Sequence, residues 1–182
     1  MQAADIDETP LAGESARACA ERLACQKALT ICSSRPLDLV LGADTVVVVN
    51  DTMLGKPADA NDAARMLRML SGRVHQVITG ICLASTASGR LAYTNEGASE
   101  VLGTENLEIR VASEITLVTF AELSDTEIRD YVSTGEPMDK AGSYAIQGIA
   151  SRWIPRIEGD YSNVVGLPVA LVYRMLRDRE KT

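Results

Sequence analysis

The chain has 182 residues, 46% of them apolar, and carries a formal net charge of −7. That length makes one domain, or one domain with two lobes. The acidic balance, with no basic stripe, excludes a nucleic-acid polymer as partner but leaves room for a small phosphorylated ligand held by two or three cations.

No apolar run approaches the roughly 18 residues that span a bilayer, so no membrane is expected. The opening Met1-Gln-Ala-Ala-Asp-Ile-Asp-Glu8 lacks the basic and apolar regions of a signal peptide, which points to the cytoplasm. Asp5, Asp7 and Glu8 form an acidic cluster that ends at the turn signal Thr9-Pro10; taken alone, it is a solvated terminus. Ser15 is the N-cap of a helix predicted from Ala16 to about Ile31, with Ala20, Leu23, Ala24, Ala28 and Ile31 as its buried stripe. Lys27 falls on or beside that stripe, where an ammonium either snorkels out or meets an anion.

The run Val40–Val49 is apolar and mostly β-branched, and reads as a strand buried on both faces in the middle of a sheet. It is interrupted at Gly42-Ala-Asp-Thr45. A carboxylate in such a strand is costly unless a charge pairs with it. Asp44 therefore either holds a metal ion or a water against a phosphate, or marks a bulge or bend beside the permissive Gly42.

Asn50-Asp51 makes a turn, and Leu54-Gly55-Lys56-Pro57 follows. Pro57 forbids the ending of a phosphate-binding P-loop, so Lys56 is a lysine on a rigid turn. A second helix is predicted over Asp59–Leu70, with Ala63, Met66, Leu67 and Leu70 inward and Ser71-Gly72 as its stop. His75–Leu83 reads as a strand. There is no Gly-x-Ser-x-Gly elbow and no second histidine, which excludes a hydrolase triad. Cys19, Cys25, Cys32 and Cys82 show no Cys-x-x-Cys spacing; a zinc site is excluded, and scattered thiols suit a reducing compartment.

Ser85–Ser113 is polar and turn-rich, with weak strand signals at Leu91–Tyr93 and Leu107–Val111, and reads as a surface excursion before a returning strand at Ile115–Phe120. Ser124-x-x-Glu127 is a capping box, opening a helix that runs to Gly135. The charged loop Glu136–Gly142 carries Lys140. Within Ser143–Gly148, Gln147 either reads a base edge through its amide or satisfies loop backbone groups. A short strand at Trp153–Ile157, a glycine-bearing loop at Gly159–Pro168 and an amphipathic helix over Leu167–Arg177, with Leu171, Val172, Met175 and Leu176 inward, close the chain.

The chain has fourteen arginines but only four lysines, and Lys27, Lys56 and Lys140 all lie in stretches already singled out. A lysine is a compact point charge with three donors, which suits a phosphate.

Several stretches match a known family in the right order: Asp7-Glu-Thr9, Leu23-Ala-x-x-Lys-Ala28, Gly42-Ala-Asp-Thr-Val46, Gly55-Lys-Pro57, His75-x-Val-x-Thr79, Gly135-Glu-Pro-Met-Asp-Lys-Ala-Gly142, Tyr144-x-Ile-Gln-Gly148 and Gly159-Asp-Tyr-x-x-Val-Val-Gly-Leu-Pro168. On these the chain resembles the Maf proteins, nucleoside triphosphate pyrophosphatases related in fold to the inosine triphosphatases. Gly42-Ala-Asp-Thr45 and Ile146-Gln-Gly148 look like the subgroup acting on dTTP and UTP.

The resemblance implies one Maf-like domain over residues 1–182, with an α/β fold: a mixed, twisted sheet flanked by helices, and two lobes around a cleft. It implies an enzyme that hydrolyses dTTP, UTP and modified pyrimidine nucleotides to the monophosphate and pyrophosphate. Asp44 would be the catalytic acidic residue, with Thr45 and Gln147 influencing which base is accepted. Glu8 and Asp44 would hold a divalent cation, Mg²⁺ or Mn²⁺, and Lys27, Lys56 and Lys140 would meet the triphosphate or brace its site. A homodimer is common in the family.

Members normally open with a strand and a Ser-x-Ser-Pro-Arg-Arg loop, and this sequence starts just before Asp7-Glu-Thr9, so it reads as N-terminally truncated relative to them. Ala145 also stands where glycine is usual. From these departures comes a second expectation: a catalytically impaired nucleotide-binding or regulatory protein linked to cell division or septum formation.

Overall fold

A computed structural model describes residues 4–35, 37–87 and 106–179. Five strands form one sheet in the order β2-β1-β3-β4-β5: β1 Val40–Val49, β2 Thr52–Leu54, β3 Val74–Ala87, β4 Asn106–Thr119 and β5 Arg156–Glu158. The α/β class is as expected. The resemblance implies a mixed sheet, but among the described residues every strand pairing is antiparallel. Asn50 and Asp51, at φ 48° and 58°, make the two-residue turn that suits the twist of the β1–β2 hairpin.

Five helices surround the sheet: α1 Ala16–Cys32, α2 Ala60–Leu70, α3 Asp125–Ser133, α4 Tyr161–Val165 and α5 Val169–Arg179. The caps expected at Ser15 and Ser124 are present, and Asp59, read as the first residue of its helix, is instead that helix's N-cap. Ser15 accepts from the Ala18 N–H at 3.2 Å, Asp59 from the Asp62 N–H at 2.8 Å, and Ser124 and Glu127 complete the capping box.

α1 covers one face, and two glycines decide how closely. A Cβ on Gly42 would collide with the Ala24 carbonyl and come within 2.8 Å of the Ala28 nitrogen; one on Gly80 would collide with the Ala20 carbonyl. Small residues on both sides thus let the helix backbone lie directly on β1 and β3. The other face carries the main core, where Val47, Val49, Leu54, Leu67, Leu70, Val77, Phe120, Tyr131 and Trp153 pack together.

Four expectations need correction, the first being that the loop read over Gly159–Pro168 contains the helix α4, which Asp160 caps by accepting from the Ser162 N–H. β3 and β4 pair along fourteen residues each, from Val74↔Thr119 to Ala87↔Asn106, so both ends of the supposed excursion are strand. The pattern misleads because Leu107, Ile109 and Val111 alternate correctly but stay exposed; Leu91–Tyr93 lies outside the described residues. Trp153 ends a 3₁₀ turn, Ile149–Trp153, and β5 begins only at Arg156, beyond Pro155. In α5, Leu171 is buried but Leu176 is exposed. The burial expected for β1 also holds only in part. Val46, Val47 and Val49 are covered, whereas Leu41 is exposed, and β2 pairs only with Val47–Val49.

Candidate active site

A cleft of about 490 Å³ runs along β1 and takes side chains from both faces of that strand. Asp44 and Thr45, adjacent in sequence, therefore reach different walls of the same cavity.

The first wall is charged. Asp44 stands opposite Gly80 in the β1–β3 register, close to where α1 presses on the sheet. Lys27 lies seven residues, two helical turns, beyond Ala20 on the face that α1 turns to the sheet. Its Nζ reaches Asp44 Oδ1 at 2.5 Å and Glu8 Oε1 at 2.7 Å. Glu8 Oε2 in turn lies 3.0 Å from Lys56 Nζ. The segment bearing Glu8 is tied to α1 by Arg22, which donates to Glu14 at 2.7 Å and to the Thr9 carbonyl at 3.2 Å. Lys56 is drawn toward Lys140 by a backbone bond, Gly142 N–H to the Gly55 carbonyl, at 3.0 Å. Lys140 lines the cleft beside Asp139, 2.6 Å from its carboxylate.

Burial pushes the Asp44 carboxyl above its ordinary range, and the bond from Lys27 opposes that shift without cancelling it. Burial by itself would lower Lys27, but Asp44 and Glu8 together hold its ammonium above the usual lysine range. Glu8, hydrogen-bonded first by Lys27 and then by Lys56, is held below the ordinary glutamate value. The result is an alternating chain Lys56–Glu8–Lys27–Asp44 that grows drier toward Asp44, whose side chain is 10% exposed against 56% for Lys56.

The second wall is neutral: Thr45, Val47, Val77, Tyr144, Val164, Val165 and Gly166. Thr45 Oγ1 lies 2.9 Å from Thr79 Oγ1 on β3, directly across the strand pair. The Tyr144 hydroxyl lies 2.8 Å from His75 Nε2, and burial pushes His75 down to about 4, so the imidazole is neutral there.

Six of the seven residues singled out from the sequence line this one cavity: Glu8, Lys27, Asp44, Thr45, Lys56 and Lys140. Gln147 does not; it is exposed. Its loop is held from beneath by Glu136, whose carboxylate accepts from the Tyr131 hydroxyl and from the Ile149 N–H, each at 2.9 Å. The residues missed from sequence are Thr79, Tyr144, Asn163 and Gly166. Thr79, Tyr144 and Gly166 fall in stretches that match the family, but no local pattern marked them as site residues, and Asn163 left no trace.

Among the described residues no group of three or more His, Cys, Asp or Glu side chains is placed to hold a metal ion. Glu8 and Asp44 are nonetheless two hard oxygen donors converging on one cation, the Lys27 ammonium. Such a pair fits Mg²⁺ or Mn²⁺ when phosphate oxygens and waters fill the remaining positions. The chemistry open to this cavity is thus charge neutralisation of a polyphosphate at one wall, with a basic carboxylate beside it, and recognition of a flat neutral group at the other.

Comparison with known proteins gives the same direction. A family model described as "Maf-like protein" matches residues 1–179. A Koribacter versatilis protein named dTTP/UTP pyrophosphatase is 51% identical over 177 residues, covering 97% of this chain and 81% of that one. Proteins with the same name from Syntrophomonas wolfei and Anaeromyxobacter dehalogenans are 44% and 47% identical, covering 97% of this chain and 84% and 81% of theirs.

Proposed function

The chain belongs to the Maf-like protein family, and on that footing we propose that it hydrolyses dTTP and UTP to the nucleoside monophosphate and pyrophosphate. The observation that carries this reading is the chain Lys56–Glu8–Lys27–Asp44 inside a cleft that also holds Lys140.

Three ammonium groups offset the charge of the triphosphate and hold it in one orientation. Glu8 and Asp44 are the residues that would bind a divalent cation, which supplies further neutralisation of the phosphate oxygens. Asp44, made more basic by burial, accepts a proton from water as the water oxygen forms its bond to the α-phosphorus. The bond from that phosphorus to the bridging oxygen breaks, and pyrophosphate leaves with the electron pair. Lys27 keeps the Asp44 carboxylate oriented and turns the part of its charge now held by Glu8 to the incoming phosphates.

We place this reaction in the cytoplasm, where nucleoside triphosphates are made and used and where free thiols persist. No described helix is long and apolar enough to cross a membrane.

The test is pyrophosphate release from dTTP and UTP with Mg²⁺ or Mn²⁺, beside Asp44→Asn. Release by the native protein and its loss in the variant support the reading. Binding of dTTP without release would overturn it in favour of a nucleotide-binding regulatory protein. Undiminished release by Asp44→Asn would overturn the role given to Asp44.

A further inference from the structure

The neutral wall is ordered proton by proton. Asn163 is fully buried, and its Nδ2 donates to the Val77 carbonyl and to Thr116 Oγ1, each at 3.0 Å. A carbonyl only accepts, so this fixes which end of the amide is nitrogen. Thr116 Oγ1 donates to the Asp160 carbonyl at 2.9 Å and accepts from the Asp160 N–H at 3.1 Å. Thr79, also fully buried, donates its hydroxyl proton to the main-chain carbonyl of Asn163 at 3.0 Å. That proton is the only one it has. The contact between Thr45 and Thr79 at 2.9 Å is therefore a bond donated by Thr45.

The consequence reaches the cleft. With its proton turned inward, the Thr45 hydroxyl has only lone pairs left to offer. Gly166, at φ 113°, keeps the approach open, since a Cβ there would stand 3.6 Å from Thr45 Oγ1. Around this oxygen the wall is apolar or neutral, with Val77, Tyr144, Val164 and Val165, and the ammonium groups belong to the other wall. A nucleobase, not a phosphate, suits that end of the cavity.

We propose that Thr79 is a positioning residue which, anchored on the Asn163 carbonyl, makes Thr45 an acceptor-only group, so that the site takes bases presenting a ring N–H, the imide N3–H of uracil and thymine. Cytosine places a bare N3 lone pair at the same point, and two acceptors facing each other in a dry site leave both unpaired. The inference rests on the pyrophosphatase reading and adds to it the physical cause of the choice of base.

The experiment compares kcat/KM for UTP and CTP in the native protein, Thr79→Val, Thr79→Ser and Thr45→Val, with thermal melting of each. The native protein is expected to prefer UTP at least tenfold. Thr79→Val keeps the shape but removes the acceptor for the Thr45 proton; Thr45 is then free to donate, and the UTP:CTP ratio falls at least tenfold. The change appears mainly in KM, because the base lies away from the reacting phosphorus. Thr79→Ser restores the ratio, which loss of packing alone would not do. Thr45→Val lowers kcat/KM for UTP and collapses the ratio without touching Thr79. A native-like ratio in folded Thr79→Val, or in Thr45→Val should Thr79→Val not fold, overturns the proposal. If the native protein releases no pyrophosphate from either UTP or dTTP, the parent reading fails; if it does and the ratios do not move, only this inference fails.

Discussion

The two walls of the cleft handle polar groups in opposite ways. On the α1 side the groups are charged, paired only with one another, and partly open to water at the Glu8 and Lys56 end. On the α4 side they are neutral, and Thr79, Thr116 and Asn163 each end on a backbone carbonyl. The charged partners can exchange each other for a phosphate or a cation without unfolding anything. The Thr45, Thr79, Thr116 and Asn163 network does not exchange partners readily, because each of its donors is already committed to a neighbour. The charged wall should thus govern rate, and the neutral wall stability and choice of base.

Asp44→Asn breaks the charged wall where it matters most. It removes the proton acceptor while Glu8 still pairs with Lys27, so pyrophosphate release from dTTP should fall by about 10²–10⁴-fold with little change in melting temperature. Asn163→Ala breaks the neutral wall instead. The Val77 carbonyl loses its buried donor and a void opens beneath Thr79, a loss of about 2–4 kcal/mol in urea denaturation, while kcat below the melting range is kept. If the first variant unfolds the protein, or the second kills kcat while leaving stability alone, the division between the walls is wrong.

Acid sharpens the comparison further. His75 sits beneath the neutral wall, and its folded value of about 4 lies below the ordinary 6.5. A base with a depressed folded value contributes stability that is present above pH 6.5 and lost as pH falls through that window toward 4. The contribution is at most about 3 kcal/mol. Urea midpoints taken from pH 7 to pH 4 should fall steeply for the native chain and less steeply for His75→Gln, which can keep a donor to Tyr144 but does not titrate. Equal slopes would show that another group sets the acid sensitivity.

The charged wall was largely legible in the sequence because Asp44 and its lysines are anomalies, whereas Glu8, read alone as part of a solvated terminus, was singled out only through the family resemblance. Asp44 interrupts an apolar strand, and lysine is scarce in a chain rich in arginine. The neutral wall was not, because Thr79 is ordinary in a strand and Asn163 sits in a five-residue helix inside a stretch read as a loop. Their meaning lies in a hydrogen bond across 84 residues of sequence, which no local pattern carries. Gln147 shows the converse. Its amide could serve a base, but Glu136 organises the loop from below and leaves it in solvent. Four of the five described helices were placed within about two residues because caps and apolar stripes agree; α4, five residues inside a stretch read as a loop, is too short to show a stripe. β4 was read short because its apolar residues Leu107, Ile109 and Val111 are exposed, and β3 because its last four residues, Ala84–Ala87, are small or polar.

Lys56→Ala should have the smallest effect, and it tests whether even the exposed end of the charged wall is functional. Lys56 is 56% exposed and pairs only with Glu8, itself 39% exposed. An ion pair this open contributes at most about 0.5–1 kcal/mol to stability, so the melting temperature should move by no more than a few degrees. What the ammonium gives a bound triphosphate is a long-range charge, present alike in ground and transition states. Its removal should therefore raise KM about three- to tenfold with kcat nearly unchanged. Screening supplies the control: the gap between native and variant KM should narrow as salt rises from about 0.05 to 0.5 M, whereas the loss in Asp44→Asn should not. A fall in kcat as large as that of Asp44→Asn would place Lys56 at the reacting phosphorus, and the gradient from wet to dry along this wall would no longer order the roles of its residues.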